Sequence, residues 1–114
     1  LIVRRLVHRM GYRYRLGGMR LPGRPDLVFP RRRAAILVQG CFWHQHPDAN
    51  CKLARRPKSR LDFWEPKLAA NRQRDERNKV ALEAAGWRVL EVWECQLRDT
   101  AALGESIVTF LGAR

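Results

Sequence analysis

One segment, GCFWHQHPDANC (Gly40 to Cys51), carries two of the chain's three cysteines and two of its three histidines around the adjacent aromatics Phe42 and Trp43. It has no hydrophobic period, so residues from about 40 to 60 read as an irregular insertion whose shape must come from crosslinks rather than from a core. Cys41, His46 and Cys51 stand at C-x4-H-x4-C, close enough for one loop to wrap an ion. Cys95 is the one thiol left, and it completes a tetrahedral Cys3His zinc set. A closed site of this kind has no open position for chemistry, which makes the expected zinc structural. Such sites bind with apparent free energies of about 10–16 kcal/mol, enough to anchor a loop with little core of its own. Two alternatives stand beside it: three unligated thiols with a surface histidine, or His44 in place of His46. His44 lies only two residues past Cys41, where an extended segment points it elsewhere. An odd cysteine count argues against a purely disulfide framework, and interleaved histidines favour a metal in a reducing cytoplasm.

The charge balance points to the partner. Lys and Arg number 23 against 11 Asp and Glu, a net charge of +12. A small chain this basic repels itself and attracts polyanions; lysines and arginines that neutralise phosphates release counterions, so double-stranded DNA is the expected partner, bound more weakly as salt rises. The bland alternative is a basic protein from a high-GC genome. The arginines are not confined to one helical face, which disfavours a membrane surface, and no apolar run is long enough to span a bilayer. With 114 residues the chain supports one core, hence a single domain over 1–114. No signal-peptide pattern is present. The chain opens without methionine in a helical pattern, so upstream residues are expected.

Leu1, Ile2, Leu6, Val7 and Met10 recur at helical spacing before Gly11. Tyr12–Leu16 (YRYRL) alternates like a strand, Gly17-Gly18 is a turn, and Arg20–Asp26 (RLPGRPD) is a rigid loop. LVF and Ala34–Gln39, joined across PRRR, read as an antiparallel pair with the second strand central. A helix spans about Asp62 to Ala85, with Pro66 either kinking it or marking its first turn; its middle, NRQRDERNK, is polar and faces solvent or a ligand. Trp87–Trp93 is a strand, with both tryptophans most simply in the core. A last helix spans about Thr100 to Leu111, capped by Asp99 or Thr100. The order helix, three strands, helix, strand, helix (α-β-β-β-α-β-α) favours a mixed α/β sheet with helices on both faces and a parallel crossover.

Within that frame Asp26 is a lone carboxylate where a proline-stiffened loop enters a strand, with Arg24 beside it to face a phosphate. By itself an Asp after Pro is more often a turn residue. Magnesium needs one or two carboxylates plus waters and phosphate oxygens, and the central strand brings Gln39 or the Val38 carbonyl near Asp26. His44 follows, with the chemistry of a general acid or base for phosphodiester hydrolysis. The pairs Phe42-Trp43 and Phe63-Trp64 are either wedges for base steps or satellite core under the loop.

LPGRPDLVF, VQGCFWHQHPDANC, FWEPKLAANRQRDERN and GWRVLEVWEC together resemble the very-short-patch repair (Vsr) endonucleases from about Leu1 to Cys95. The resemblance implies a restriction-endonuclease-like mixed central sheet of the PD-(D/E)xK superfamily, and magnesium-dependent nicking next to T:G mismatches in the bacterial cytoplasm, at the nucleoid, by a monomer. It implies Asp26 and the Val38 carbonyl as magnesium ligands, His44 as general acid/base, and Cys41, His46, Cys51 and Cys95 as zinc ligands. Phe42, Trp43 and Trp64 would be the wedge, and Lys67 and Asn71 would read mispaired bases. Gln39 stands where the family has a histidine; it can orient a water but cannot exchange a proton at neutral pH. The family's first-helix glutamate would fall just before Leu1, and the PDAN stretch lengthens the metal loop. Two other functions compete: a zinc-stabilised DNA-binding module with a decayed nuclease centre, and a related nuclease of a restriction or mobile-element system.

Overall fold

The computed structural model describes residues 2–16, 20–48, 50–55 and 59–112. The elements are helix α1 (Ile2–Arg9), strand β1 (Leu27–Phe29), strand β2 (Ala34–Gln39), helix α2 (Leu61–Ala84), strand β3 (Arg88–Trp93) and helix α3 (Thr100–Leu111). Among the described residues the sheet has three strands in the order β1-β2-β3. β1 pairs antiparallel with β2, and β2 pairs parallel with β3, with Gln39 opposite Trp93 at the far end.

The expected α-β-β-β-α-β-α order loses its first strand. Tyr12–Leu16 meets the sheet at a single bridge, in which Arg15 and Val28 exchange N–H···O bonds of 2.8 and 2.9 Å. The cause lies in β1. An antiparallel strand turns alternate residues toward each neighbour. With Leu27 and Phe29 committed to β2, a three-residue strand offers only Val28 on its outer edge. Tyr12 instead turns into the core, 4% exposed, and donates its hydroxyl to the Gly112 carbonyl. The Gly17-Gly18 turn lies outside the described residues.

Strand alternation divides the core into two layers. Leu27, Phe29, Ala34, Ile36 and Val92 face α1 and α3, meeting Val3, Val7, Leu103 and Ile107. Val28 and Ala35 face the opposite way, onto Leu82 of α2 and Trp87. The apolar stripe of α1 is Val3 and Val7 with Leu6 and Met10 beside them; Ile2, expected on it, is exposed. β2 is buried on both faces, which is why its sequence is a continuous apolar run. Asp99 caps α3, accepting from the Ala102 N–H at 3.0 Å. Basic side chains close the other helix ends: Arg33 donates to the Ala85 carbonyl, Arg88 to Phe110, and Arg32 to Leu111. Each puts a cation at the negative pole of a helix.

The length of α2 positions the site. Its 24 residues span about 36 Å at 1.5 Å each, whereas the six residues of β3 span about 20 Å. Leu82 packs beside the start of β3, so the N-terminal half of α2 projects past the sheet end where β2 finishes. The helix runs through Pro66 without ending there. Among the described residues no helix is long and apolar enough to cross a membrane.

Candidate active site and metal centre

Asp26, Val38, Gln39 and His44 collect at the end of the sheet where β2 stops and β1 begins. The loop before β1 turns at Leu21–Arg24, with Gly23 at φ +75° and Arg24 at φ 46°. It delivers Asp26 beside β2: the Asp26 N–H donates to the Ile36 carbonyl at 3.0 Å, and the Val38 N–H donates to Asp26 Oδ2 at 2.7 Å. N–H and C=O of one strand residue point to the same edge, so the Val38 carbonyl also faces the Asp26 side. One exposed carboxylate and one carbonyl sit side by side, with room for waters. That donor set is what a hard divalent cation accepts.

Gly23 makes this approach feasible. A Cβ there would lie 3.0 Å from the Asn78 Cβ on α2. Gly23→Ala combines that contact with a left-handed backbone, which alone costs about 1–2 kcal/mol for an L-residue. A melting-temperature comparison should show the loss, together with slower DNA cleavage as Asp26 shifts.

His44 follows β2 in a tight turn closed by its N–H to the Gly40 carbonyl at 3.1 Å. Its Nδ1 meets Asp75 Oδ2 of α2 at 2.5 Å. With Nδ1 held, Nε2 is the nitrogen open to a substrate, and the carboxylate fixes tautomer and ring orientation. Asp75 is the residue that sequence reasoning missed, because it lies inside a polar run that reads as a solvated face. Its spacing held the signal: Asn71, Asp75 and Asn78 share one stripe at i, i+4 and i+7. Gln39 ends β2 on this same face, 5% exposed. Asp26, Gln39, His44, Asp75 and Asn78 line one cavity of about 200 Å³. A larger groove of about 1020 Å³ shares Asp26 and Val38 and carries Arg4, Arg20 and Arg24, so the arginine expected to face a phosphate opens there instead.

The cysteine–histidine cluster draws on the same loop that carries His44. One ligand atom from each of Cys41, His46, Cys51 and Cys95 lies within 4.8 Å of every other. His46 Nδ1 is 3.7 Å from the Cys41 sulfur and 3.5 Å from that of Cys95. A tetrahedral zinc with Zn–S about 2.3 Å and Zn–N about 2.05 Å requires S···N edges of about 3.6 Å, so the set fits the ion. His44, the alternative ligand, is engaged with Asp75 instead. Burial drives the Cys41 thiol up to about 12, while the Cys95 N–H, donated to its sulfur at 3.4 Å, works against that rise. Burial also raises the Cys95 thiol, whereas the His46 hydrogen bond lowers Cys51 to about 7. Thiols held this way lose their protons on binding a cation, which would offset the charge of the thiolates left behind. The His46 ring stacks on Trp93 at 4.3 Å between centroids. Trp93, expected in the core, is only half-buried: alternation turns it to the α2 face at the sheet end, where His46 of the loop after β2 stacks on it.

The loop carries its aromatics outward. Phe42 meets Trp43 at 5.2 Å and Trp64 at 5.5 Å, and Trp64 meets Phe63 at 5.1 Å. Trp43 is 53% exposed. Phe63 belongs to this cluster rather than to a separate core, with the cations of Arg60 and Lys67 near its ring. Asn71 donates to the Trp43 carbonyl at 3.3 Å, tying α2 to the loop.

A carboxylate beside a histidine–aspartate pair, at the sheet end of a strongly basic chain, is the equipment of a phosphodiester hydrolase. Comparison with known proteins names the family. A family model described as DNA mismatch endonuclease Vsr matches residues 1–51. The chain is 55% identical over 101 residues to the type II nicking enzyme V.XorIIP of Xanthomonas oryzae pv. oryzae, covering 89% of this chain and 72% of that protein. It is 37% identical to the type II nicking enzyme V.NmeAIP of Neisseria meningitidis, covering 93% and 74%. It is 42% identical to the DNA mismatch endonuclease Vsr of Escherichia coli, covering 87% and 62%. The chain belongs to the Vsr family and is a DNA endonuclease.

Proposed function

We propose that residues 1–114 form a single nuclease domain of restriction-endonuclease-like fold, which nicks one strand of double-stranded DNA beside a T:G mismatch. The observation that carries this reading is the junction at Asp26. Its carboxylate and the Val38 carbonyl stand between a groove that carries Arg4, Arg20 and Arg24 among mostly apolar residues, the path of the DNA backbone in this reading, and the cavity holding the His44–Asp75 pair. Magnesium held by Asp26 and the Val38 carbonyl would supply charge neutralisation at the phosphate. His44 Nε2 takes a proton from the attacking water as its oxygen bonds to phosphorus and the P–O bond to the sugar breaks. The departing oxygen takes its proton from solvent, and Asp75 holds the imidazole in line throughout.

The ion of the cysteine–histidine cluster is zinc in this reading, and its work is structural. It fixes the loop so that Phe42, Trp43 and Trp64 present a wedge to the mispaired step. Lys67 and Asn71, on the same stretch of α2, face the bases. The protein acts as a monomer on duplex DNA in the bacterial cytoplasm, at the nucleoid. A single-strand product agrees with the relatives named as nicking enzymes.

Trp43→Ala should weaken binding to a T:G duplex roughly ten- to hundredfold, since one base–aromatic stack contributes about 1–3 kcal/mol. Its exposure means the fold should survive, and fluorescence anisotropy with a labelled duplex measures the change. The test of the function itself is incubation with Mg²⁺ and two duplexes, one carrying T:G and one fully paired. Nicks in the first alone, lost in Asp26→Ala, support the proposal. Binding without cutting supports a decayed nuclease, and equal cutting of both supports a nuclease with another target.

A further inference from the structure

We infer that Asn78, acting with Gln39, holds the non-bridging oxygens of the scissile phosphate through uncharged hydrogen bonds. This deepens the proposed function and rests on it. Gln39 is the one buried polar residue among those described, 5% exposed. Its side chain makes no hydrogen bond to a described residue, and no described side-chain nitrogen or oxygen is both fully buried and without a partner, so the carboxamide is reached from the cavity rather than sealed in the core. It lines the same cavity of about 200 Å³ as Asp26 and His44. Asn78 also lines it, one turn beyond Asp75 on the same stripe of α2, and its carboxamide likewise makes no hydrogen bond to a described residue. The Gly23 backbone packed against its Cβ limits where Asn78 can go. One water takes about 30 Å³ of liquid, so the space admits a phosphate group together with the attacking water.

The charges of this cavity say what the amides are for. Among the described residues its walls carry the carboxylates of Asp26 and Asp75 and no lysine or arginine. A phosphodiester entering there adds a third negative charge, and magnesium at Asp26 would offset two of the three. Donors aimed at its oxygens offset the repulsion, and each carboxamide supplies two N–H groups that do not ionise. A lysine or arginine in their place would pair with Asp26 or Asp75 and disable it. Gln39, unable to carry a proton to or from the reaction, is suited to holding an oxygen.

The test is single-turnover nicking of a T:G duplex with one phosphorothioate at the scissile position, in its Rp and Sp forms separately. Sulfur accepts hydrogen bonds poorly, so one diastereomer should slow wild-type protein. Asn78→Ala should lower the rate on the all-oxygen duplex by about 10²-fold, the usual effect of deleting one such donor. Its affinity for the duplex should stay within about twofold. The slowing by sulfur should shrink in the variant, because the bond it weakens is already gone, and Mn²⁺ should not restore the rate as it would for a metal contact. Asn78→Asp keeps the shape, removes the donors and adds charge, so it should lose at least as much as Asn78→Ala; Asn78→Ser should retain part of the rate. An Asn78→Ala protein that nicks within about twofold of wild type, or shows the full sulfur effect, overturns the inference and leaves the proposed function standing. Wild-type protein that nicks neither duplex overturns the proposed function, and the inference with it.

Discussion

Cys95→Ser is expected to lose the metal and, with it, the shape of the whole loop from Gly40 to Arg55. Cys95 is the one member of the cysteine–histidine cluster outside that loop; its sulfur lies 3.5 Å from His46 Nδ1, and its N–H donates to the Cys41 sulfur. A closed zinc site contributes on the order of 10–16 kcal/mol in small peptides, so losing a thiolate should exceed the roughly 2–5 kcal/mol of a core truncation. Elemental analysis should find one zinc per wild-type chain and little in the variant, with a much lower melting temperature. Nicking should vanish too, because His44 is carried by the same loop two residues before a ligand. Chelation of wild-type protein should reproduce the variant. A Cys95→Ser protein with full zinc and an unchanged melting temperature would separate the loop from the metal.

His44→Ala is the second large effect. General-base removal costs about 10²–10⁴ in rate, and duplex affinity should hardly move, since the ring is turned toward Asp75 inside the cavity rather than toward the groove. Asp75→Asn should lose a substantial share of the same rate, because an amide at Nδ1 can stabilise the wrong tautomer. Single-turnover rates with separately measured affinities distinguish these losses from weaker binding. A His44→Ala chain nicking within tenfold of wild type would remove the imidazole from the chemistry.

Much of the scaffold was legible in the sequence because local pattern and tertiary packing agree. The apolar run at Ala34–Gln39 is a strand buried on both faces, and Asp99 before a 3.6-residue period starts α3 where capping chemistry requires. The clustering of Cys41, His46 and Cys51 was readable because the three stand close in sequence, and the one remaining thiol comes to them in space, in an arrangement that could hold a metal ion. What stayed hidden depends on long-range geometry. Tyr12–Leu16 has strand alternation, yet β1 leaves it one partner residue. Trp93 has a core residue's sequence, yet its register with Gln39 carries it to the sheet end, against His46. Asp75 and Asn78 are two polar residues among many in α2, and only the overshoot of that helix past the sheet brings them to His44 and Gly23.

The most direct measurement is a nucleotide-resolution map of the cuts made with Mg²⁺ in a duplex holding a single T:G pair, each strand end-labelled in turn. A carboxylate and one imidazole at a single sheet end, beside one aromatic wedge, predict one cut, in one strand, at a phosphate adjoining the mispaired base. Cuts in both strands, cuts scattered away from the mismatch, or an intact duplex would contradict it.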